Sequence, residues 1–419
     1  MPEYKIVDSI MGSGKSLAAI DRLLDQNDGQ KYLIVVPLLS EVKRYQEALD
    51  LDYGNPKPVR PLYKDGKSKL SDLKDLLRHK ASRIVTTHSN FEMADDEIID
   101  LLKSGGYDLI IDEVPQPCVH VPINTYDFRN LVAGGSVLLD EETGALTWNP
   151  EEKNYHGAFT DFKDLCLTDR LSYIKEYDAV MKIFPYKVFE ACGTVWILTY
   201  MFESQVMYYY LKEHGVTYKK YSATLDSWEG IERYMFYPYD KSLDRIYDLK
   251  SLIHICDNEK MNKVGKPMYA LSKAWFINKK ANQDQIIALK KNTSNFYKNI
   301  VKARSNDCLW TTFLSEKDTL KGFGYSNGFV SLSTKATNDY SDRHCVAYLV
   351  NRFISPVIAN MYHIPDGNSF DQDAFATSEM VQFIWRSAIR RGEPIQIYIP
   401  SSRMRELLEK WIDENQKQS

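Results

Sequence analysis

The chain has no run of 18 or more apolar residues, so no transmembrane helix is expected. Its first residues, Met1-Pro2-Glu3-Tyr4-Lys5, lack the basic head and apolar stretch of a secretory signal. Cysteine is scarce and scattered. The six residues (Cys118, Cys166, Cys192, Cys256, Cys308, Cys345) never form a C-x-x-C pair, which argues against a zinc ribbon or a disulfide framework and fits reduced thiols in a cytoplasm. The eight histidines show no metal-ligand spacing. There is no basic coat either, with 53 Lys+Arg against 57 Asp+Glu and a net charge of −4. A histone-like architectural protein is thereby excluded, but a local nucleic-acid patch is not. Low-complexity tracts, internal repeats and a Gly/Ser-rich linker are missing, so the parts of the molecule are expected to pack closely.

What is present is an ordinary globular composition, 44% hydrophobic and 26% charged over 419 residues, enough for two to three domains. The first 115 residues alternate strand and helix patterns. Tyr4–Val7 is a short strand, and a helix follows from Lys15 with Leu17, Ile20, Leu23 and Leu24 on one face. Tyr32–Val36, Arg83–Thr87 and Tyr107–Ile111 are continuous apolar or β-branched runs of strand length. Runs without alternation suit strands covered on both faces, so an α/β fold with a parallel sheet is expected. Residues 116–190 read as an insertion, with a hairpin over Val137–Trp148 turning near Gly144 and helix around Asp161–Ile183. Val195–Thr199 resumes the buried-strand pattern and Val216–Ser222 is expected to close the first domain, 1–224. A second domain, 225–419, has strand candidates at Cys308–Phe313, Gly328–Leu332 and Pro394–Ile399.

The segment Ser9-Ile10-Met11-Gly12-Ser13-Gly14-Lys15-Ser16 lies between a short strand and a helix. Glycines let backbone N–H groups curl around phosphate oxygens, a lysine reaches the β- and γ-phosphates, and a serine hydroxyl can ligate Mg²⁺. The cofactor-binding candidates are therefore Ser9, Gly12, Ser13, Gly14, Lys15 and Ser16, with Ser9 where the G-x-x-x-x-G-K-[ST] pattern has glycine. A phosphate loop needs an acid at the end of a neighbouring strand. Leu109-Ile110-Ile111-Asp112-Glu113 supplies it, with Ser16 and Asp112 as Mg²⁺ candidates and Glu113 to polarise water.

Together these blocks resemble the superfamily 2 helicases, the DEAD/DEAH-box-like ATPases. Ser9–Ser16 is similar to motif I, Asp112-Glu113-Val114-Pro115 to motif II, Val35–Glu41 to motif Ia, and Val85–Phe91 to the block that follows it. Ile197-Leu198-Thr199-Tyr200-Met201 stands in the place of motif III, with Tyr200 where alanine belongs. Trp310–Phe313 resembles motif IV, Ser333–Asn338 motif V, and Gln382–Arg390 motif VI with Trp385 in the glycine place. The resemblance implies two RecA-like domains with parallel sheets flanked by helices, plus the insertion in the first. It implies ATP and Mg²⁺ as cofactors and hydrolysis in the cleft between the domains. Lys15, Glu113, Arg386, Arg390 and Gln382 are the catalytic candidates. Positions 382, 386 and 390 are four apart, so one helix would line all three along a face; the other reading of the arginines is a surface helix making ordinary ion pairs.

In this family a single strand lies across both domains, which points to Pro37, Thr87, His88, Thr312 and Thr337 as contacts. His88 also reads as a strand-end histidine satisfied by the fold. Residues 257–304 hold 11 Lys+Arg against three acids, a local +8, with Trp275, Phe276, Phe296 and Tyr297 among them. Lys279 and Lys280 are candidates on that segment, which reads either as a stacking groove or as a solvated face over core aromatics. The expected function is an ATP-dependent helicase or translocase on single-stranded nucleic acid, DNA over RNA, as a monomer or weak oligomer without membrane contact. Compact, degenerate motifs are similar to those of bacteriophage-encoded proteins, which would place it in a host cytoplasm beside replication or recombination proteins. The alternative is a P-loop ATPase switch or adaptor that binds partners without unwinding.

Overall fold

The computed structural model describes residues 1–25, 29–50, 57–63, 66, 68–168, 170–228, 230–332, 339–362 and 370–417. The first sheet begins with β1 (Glu3–Asp8), followed by helix α1 (Lys15–Asp25), β2 (Lys31–Val36), helix α2 (Leu39–Leu49), β3 (Arg83–Thr87) and β4 (Tyr107–Asp112). Within β2 successive residues alternate between two cores, Leu33 and Val35 on one face and Ile34 and Val36 on the other. That is why the run is apolar throughout: a strand covered on both faces has no solvent side to fill with polar residues. On α1 the buried residues are Ala18, Ala19, Ile20 and Leu23, while Leu17 is exposed. The two small residues let the helix lie close on the sheet.

Residues 118–183 form a separate antiparallel sheet, β5 (Cys118–His120), β6 (Val137–Leu139), β7 (Ala145–Trp148), β8 (Leu171–Ile174) and β9 (Ala179–Ile183), in the order β5-β9-β8-β7-β6. The hairpin β6–β7 turns at Gly144, at φ +73°. Helix covers only Thr160–Cys166; Leu171–Ile183, expected to be helical, is the β8–β9 pair, with β-branched and aromatic residues facing this sheet's own core.

The chain then returns to the first sheet as β10 (Thr194–Thr199), β11 (Tyr218–Trp228) and β12 (Ile231–Pro238). The order is β12-β11-β1-β10-β4-β2-β3, parallel except for the β11–β12 hairpin. This hairpin carries the first sheet on to Pro238, past the division expected at residue 225. The second sheet, β13 (Ile253–Ile255), β14 (Cys308–Thr311), β15 (Cys345–Tyr348) and β16 (Ile395–Tyr398), is wholly parallel in the order β13-β16-β15-β14. Gly328–Leu332 is not a strand but a 3₁₀ turn, Ser326–Gly328, and one bridge from Phe329 to Trp310. Helices Gln372–Ile384 and Ser402–Asn415 cover one face of this sheet. Helix Gln283–Asn295 and the turn after it cover the other. Among the described residues no helix is long and apolar enough to cross a membrane.

The two sheets do not meet across water alone. Ile10, from the phosphate loop, and Tyr200, just past β10, belong to the core of the second half, packed with Trp385, Ile397 and Trp411. Helix Gln372–Ile384, which carries part of the motif VI block, is fixed by Arg403. This buried guanidinium donates to Asp373 Oδ1 (2.9 and 2.6 Å), Asn351 Oδ1 (2.9 Å), and the carbonyls of Arg352 (2.8 Å) and Gln372 (3.1 Å). Arg403→Met would leave the buried Asn351 Oδ1 without this donor, so thermal unfolding is expected to show a loss on the order of 1–3 kcal/mol. An unchanged midpoint would show that these bonds fix nothing.

Candidate functional site

Gly12 and Gly14 hold φ of +85° and +86°, so Ser9–Ser16 curls into a closed loop ahead of α1. Two tyrosines stand against its glycines. A Cβ at Gly12 would meet Tyr247 Oη at 2.3 Å, and one at Gly14 would meet the Tyr234 ring at 2.0 Å. Ser9, in the glycine place, is accommodated by a bond 214 residues away: its Oγ accepts from the Ala223 N–H on β11 at 2.8 Å. The Ser13 hydroxyl is buried and has no partner among the described residues. Lys15 Nζ turns back to donate to the carbonyls of Ser9 (2.6 Å) and Ile10 (3.0 Å). Protein packed around this ammonium lowers its pKa, and Asp244, Asp112, Asp8 and Glu113 oppose the shift. Ser16 is half-buried at the start of α1.

Asp112 ends β4 beside β10. Its Oδ2 accepts from Tyr45 Oη at 2.9 Å and faces Arg44 Nη2 at 3.7 Å. Burial raises the Tyr45 pKa well above its usual value, so this hydroxyl stays a donor. Glu113 follows at φ +61°, in the left-handed region, its N–H donating to Leu198 O at 3.0 Å. That turn swings the carboxylate out of the strand line into a cavity of about 210 Å³. Lys15, Glu113, Gln382, Arg386 and Arg390 all line this cavity, two from segments that follow central strands of the first sheet and three from the second half.

The three motif VI residues reach it by a route other than the one expected. Helix Gln372–Ile384 stops at Ile384, and Ala388–Arg391 is a separate 3₁₀ turn, so 382, 386 and 390 do not share one helix face. Ser387 is extended, with ψ −172°, and the Ala388 N–H bonds Arg343 O, which breaks the helical ladder. Arg386 donates to the carbonyls of Ser331 (3.2 Å) and Leu332 (3.4 Å); burial lowers its pKa, against the pull of Glu113 and Glu379. Gln382 Nε2 donates to Ser378 Oγ at 3.0 Å, and Arg390 is exposed.

Of the nucleic-acid candidates, Pro37 and Thr87 line one groove of about 600 Å³ with Leu39, Lys69, Ser89 and Asn90. His88 is buried, Nε2 at 3.0 Å from the Asp112 carbonyl, and so braces the motif II strand instead of facing outward. Thr312 is fully buried and donates to Leu349 O at 3.2 Å, which removes it from any surface. Thr337 lies outside the described residues. Lys279 is half-exposed and pairs with Glu316 at 2.8 Å, and Lys280 is exposed. Phe276, Phe296 and Tyr297 are core residues, so the basic segment is a solvated face over aromatics and not a stacking groove.

Sequence reasoning missed Asp244. Its Oδ1 accepts from the Ile10 N–H at 2.7 Å, and desolvation pushes its pKa up to about 6. Nothing local marks it, because its partners are more than 200 residues away in the chain.

Two largely parallel α/β sheets, one carrying the Ser9–Ser16 loop and the other an arginine-bearing turn, thus face one cavity. The chain belongs to the YonV family. It is 35% identical, over the full length of both chains, to the SPbeta prophage-derived protein YonV of Bacillus subtilis (strain 168). The YonV C-terminal Rossmann-like domain matches residues 247–412 and the YonV middle domain residues 119–182. Similar solved structures include the DUF1998 helicase MrfA bound to DNA and AMPPNP (12% identity, TM-score 0.33, covering 99% of this chain and 48% of that one). The chain thus spans about half the length of MrfA. A Dbp5 variant of S. cerevisiae bound to RNA and ADP BeF3 is also similar (12%, TM-score 0.36, 100% and 84%). So is a DEAD box protein from the hyperthermophile Methanococcus jannaschii (12%, TM-score 0.30, 99% and 86%). At these TM-scores the superpositions are loose.

Asp244 sets a pH dependence. Because its folded-state pKa is raised above the ordinary value of 3.8, its protonated form is favoured by folding, and stability is lost as pH rises from about 4 through about 6. Asp244→Asn keeps an acceptor for Ile10 and removes the charge. It is expected to be more stable than the parent at pH 7, by on the order of 2–3 kcal/mol, with the gap closing near pH 4. Denaturant titrations at the two pH values check this, and a gap of the opposite sign would refute it.

Proposed function

We propose that the protein is an ATP-dependent helicase or translocase acting on single-stranded nucleic acid, DNA in preference to RNA, in a host bacterial cytoplasm. The observation that carries this reading is the convergence of Lys15 and Glu113 with Gln382, Arg386 and Arg390 on one cavity between the two sheets. Ser9, Gly12, Ser13, Gly14 and Lys15 cradle the phosphates; the orphaned Ser13 hydroxyl and the two left-handed glycines fit a loop that awaits acceptor oxygens. Lys15 leaves the carbonyls of Ser9 and Ile10 for the β- and γ-phosphates. Ser16 and Asp112 offer hard oxygen donors, the set that suits Mg²⁺, which when bound draws charge from the phosphate oxygens. Glu113 takes the proton of the attacking water, and Arg386, helped by Arg390 and Gln382, faces the charge that builds on the γ-phosphoryl group. An arginine in this role contributes about 10³–10⁵ in rate. The strand runs over the Pro37–Thr87 groove, with Lys279 and Lys280 as further phosphate contacts.

A second reading is a P-loop switch or adaptor that binds partner proteins without unwinding. The packing of Ile10 and Tyr200 into the second half's core supports it, since an apolar junction resists repeated opening.

Lys15→Ala and Glu113→Gln are each expected to abolish ATP turnover. Full turnover in both purified variants would refute the assignment. Single-stranded DNA is expected to accelerate hydrolysis by the parent; rates that stay flat with DNA and with RNA would favour the switch.

A further inference from the structure

Two departures from the helicase motif pattern, Tyr200 in the motif III place and Trp385 in the motif VI place, meet on one residue that no motif contains. Trp411, in helix Ser402–Asn415, donates from Nε1 to Tyr200 Oη at 3.1 Å. Its ring also meets Trp385 edge-on, centroids 5.4 Å apart at 83°. Trp385 in turn meets Tyr247 at 5.5 Å and 71°, and the Tyr247 hydroxyl donates to the Met11 carbonyl in the phosphate loop at 3.3 Å. At the other end, Tyr200 follows Thr199, whose carbonyl accepts from the Ser9 N–H at 3.1 Å. The contacts therefore make a closed circuit. It starts at one side of the phosphate loop, crosses into the second half through two tryptophans, and returns to the loop's other side.

Arg386 is the residue next to Trp385. With the helix ended at Ile384, its backbone is held by single turns, Arg386 N–H to Phe383 O and Ser387 N–H to Ile384 O, not by a continuing helix. The position of Arg386 along the cleft is then set by where the Trp385 ring is clamped. We propose that Trp411 is a positioning residue for the hydrolysis reaction: by binding Tyr200 and clamping Trp385, it places Arg386 opposite Glu113. This rests on the NTPase reading above.

The bond and the clamp have separable chemistry. Trp411→Phe keeps an aromatic ring and loses the N–H donor; Tyr200→Phe loses only the acceptor oxygen. If the two side chains act as one unit, removing either breaks the same link. Each variant is then expected to lower kcat about tenfold with KM for ATP within about twofold, the signature of a contact needed in the transition state and not for binding. The double variant is expected to fall no further than either single. Tyr200→Phe, which deletes one atom, carries the test if Trp411→Phe does not fold, and thermal unfolding of each variant identifies that case. Losses that multiply in the double variant, or a rise in KM without a change in kcat, would overturn the inference. Turnover that Lys15→Ala abolishes but these variants leave intact would overturn it alone. Turnover that survives Lys15→Ala would instead overturn the NTPase reading, and the inference with it.

Discussion

Everything about this molecule turns on where Ile10 sits. It is the second residue of the Ser9–Ser16 loop, yet its side chain is fully buried in the hydrophobic core of the other half. Its backbone N–H is taken by Asp244 and its carbonyl by Lys15. One residue thus ties the loop's shape, the lysine's resting place and the junction between the sheets. The loop cannot change shape without disturbing apolar packing, and the halves cannot part without disturbing the loop. Burial of a full isoleucine side chain contributes about 1.5–3 kcal/mol, enough for that linkage to be felt at both ends.

The same economy shapes the carboxylates. Asp112 is held by Tyr45 from α2, and its carbonyl is braced by His88. Residues that a helicase pattern would aim at a nucleic-acid strand, His88 and Thr312, serve here to stiffen strand ends. The groove at Pro37 and Thr87 mixes apolar walls, Leu38 and Leu39, with Lys69, Ser89 and Asn90.

How much of this could be read in the sequence follows from the range of each interaction. Apolar runs such as Tyr32–Val36 and the loop Gly12–Ser16 carry their meaning within a few residues, and the strand–loop–helix order at the N-terminus is as the pattern implies. Lys15 and Glu113 share a cavity because both sit at ends of central strands, a consequence of parallel topology. The end of the helix at Ile384 was not legible, because the competing bond comes from Arg343 and the stretch to Arg390 has no proline or glycine to mark a stop. Asp244, Ala223 and Trp411 were invisible for a stronger reason: their partners Ile10, Ser9 and Tyr200 lie more than 200 residues away. The aromatics among the lysines of 257–304 left two readings open, because composition does not say which side of a helix faces the core, and burial decides for the solvated face.

Glu113 pays for its place with a left-handed backbone, a conformation that costs a non-glycine residue on the order of 1 kcal/mol. Glycine there would relax the chain and erase the carboxylate in one substitution. A lineage selected only to keep the protein folded would therefore drift away from glutamate at this position. Retention of the acid among descendants of this chain, against that gradient, would be a record of selection on chemistry written in a single codon.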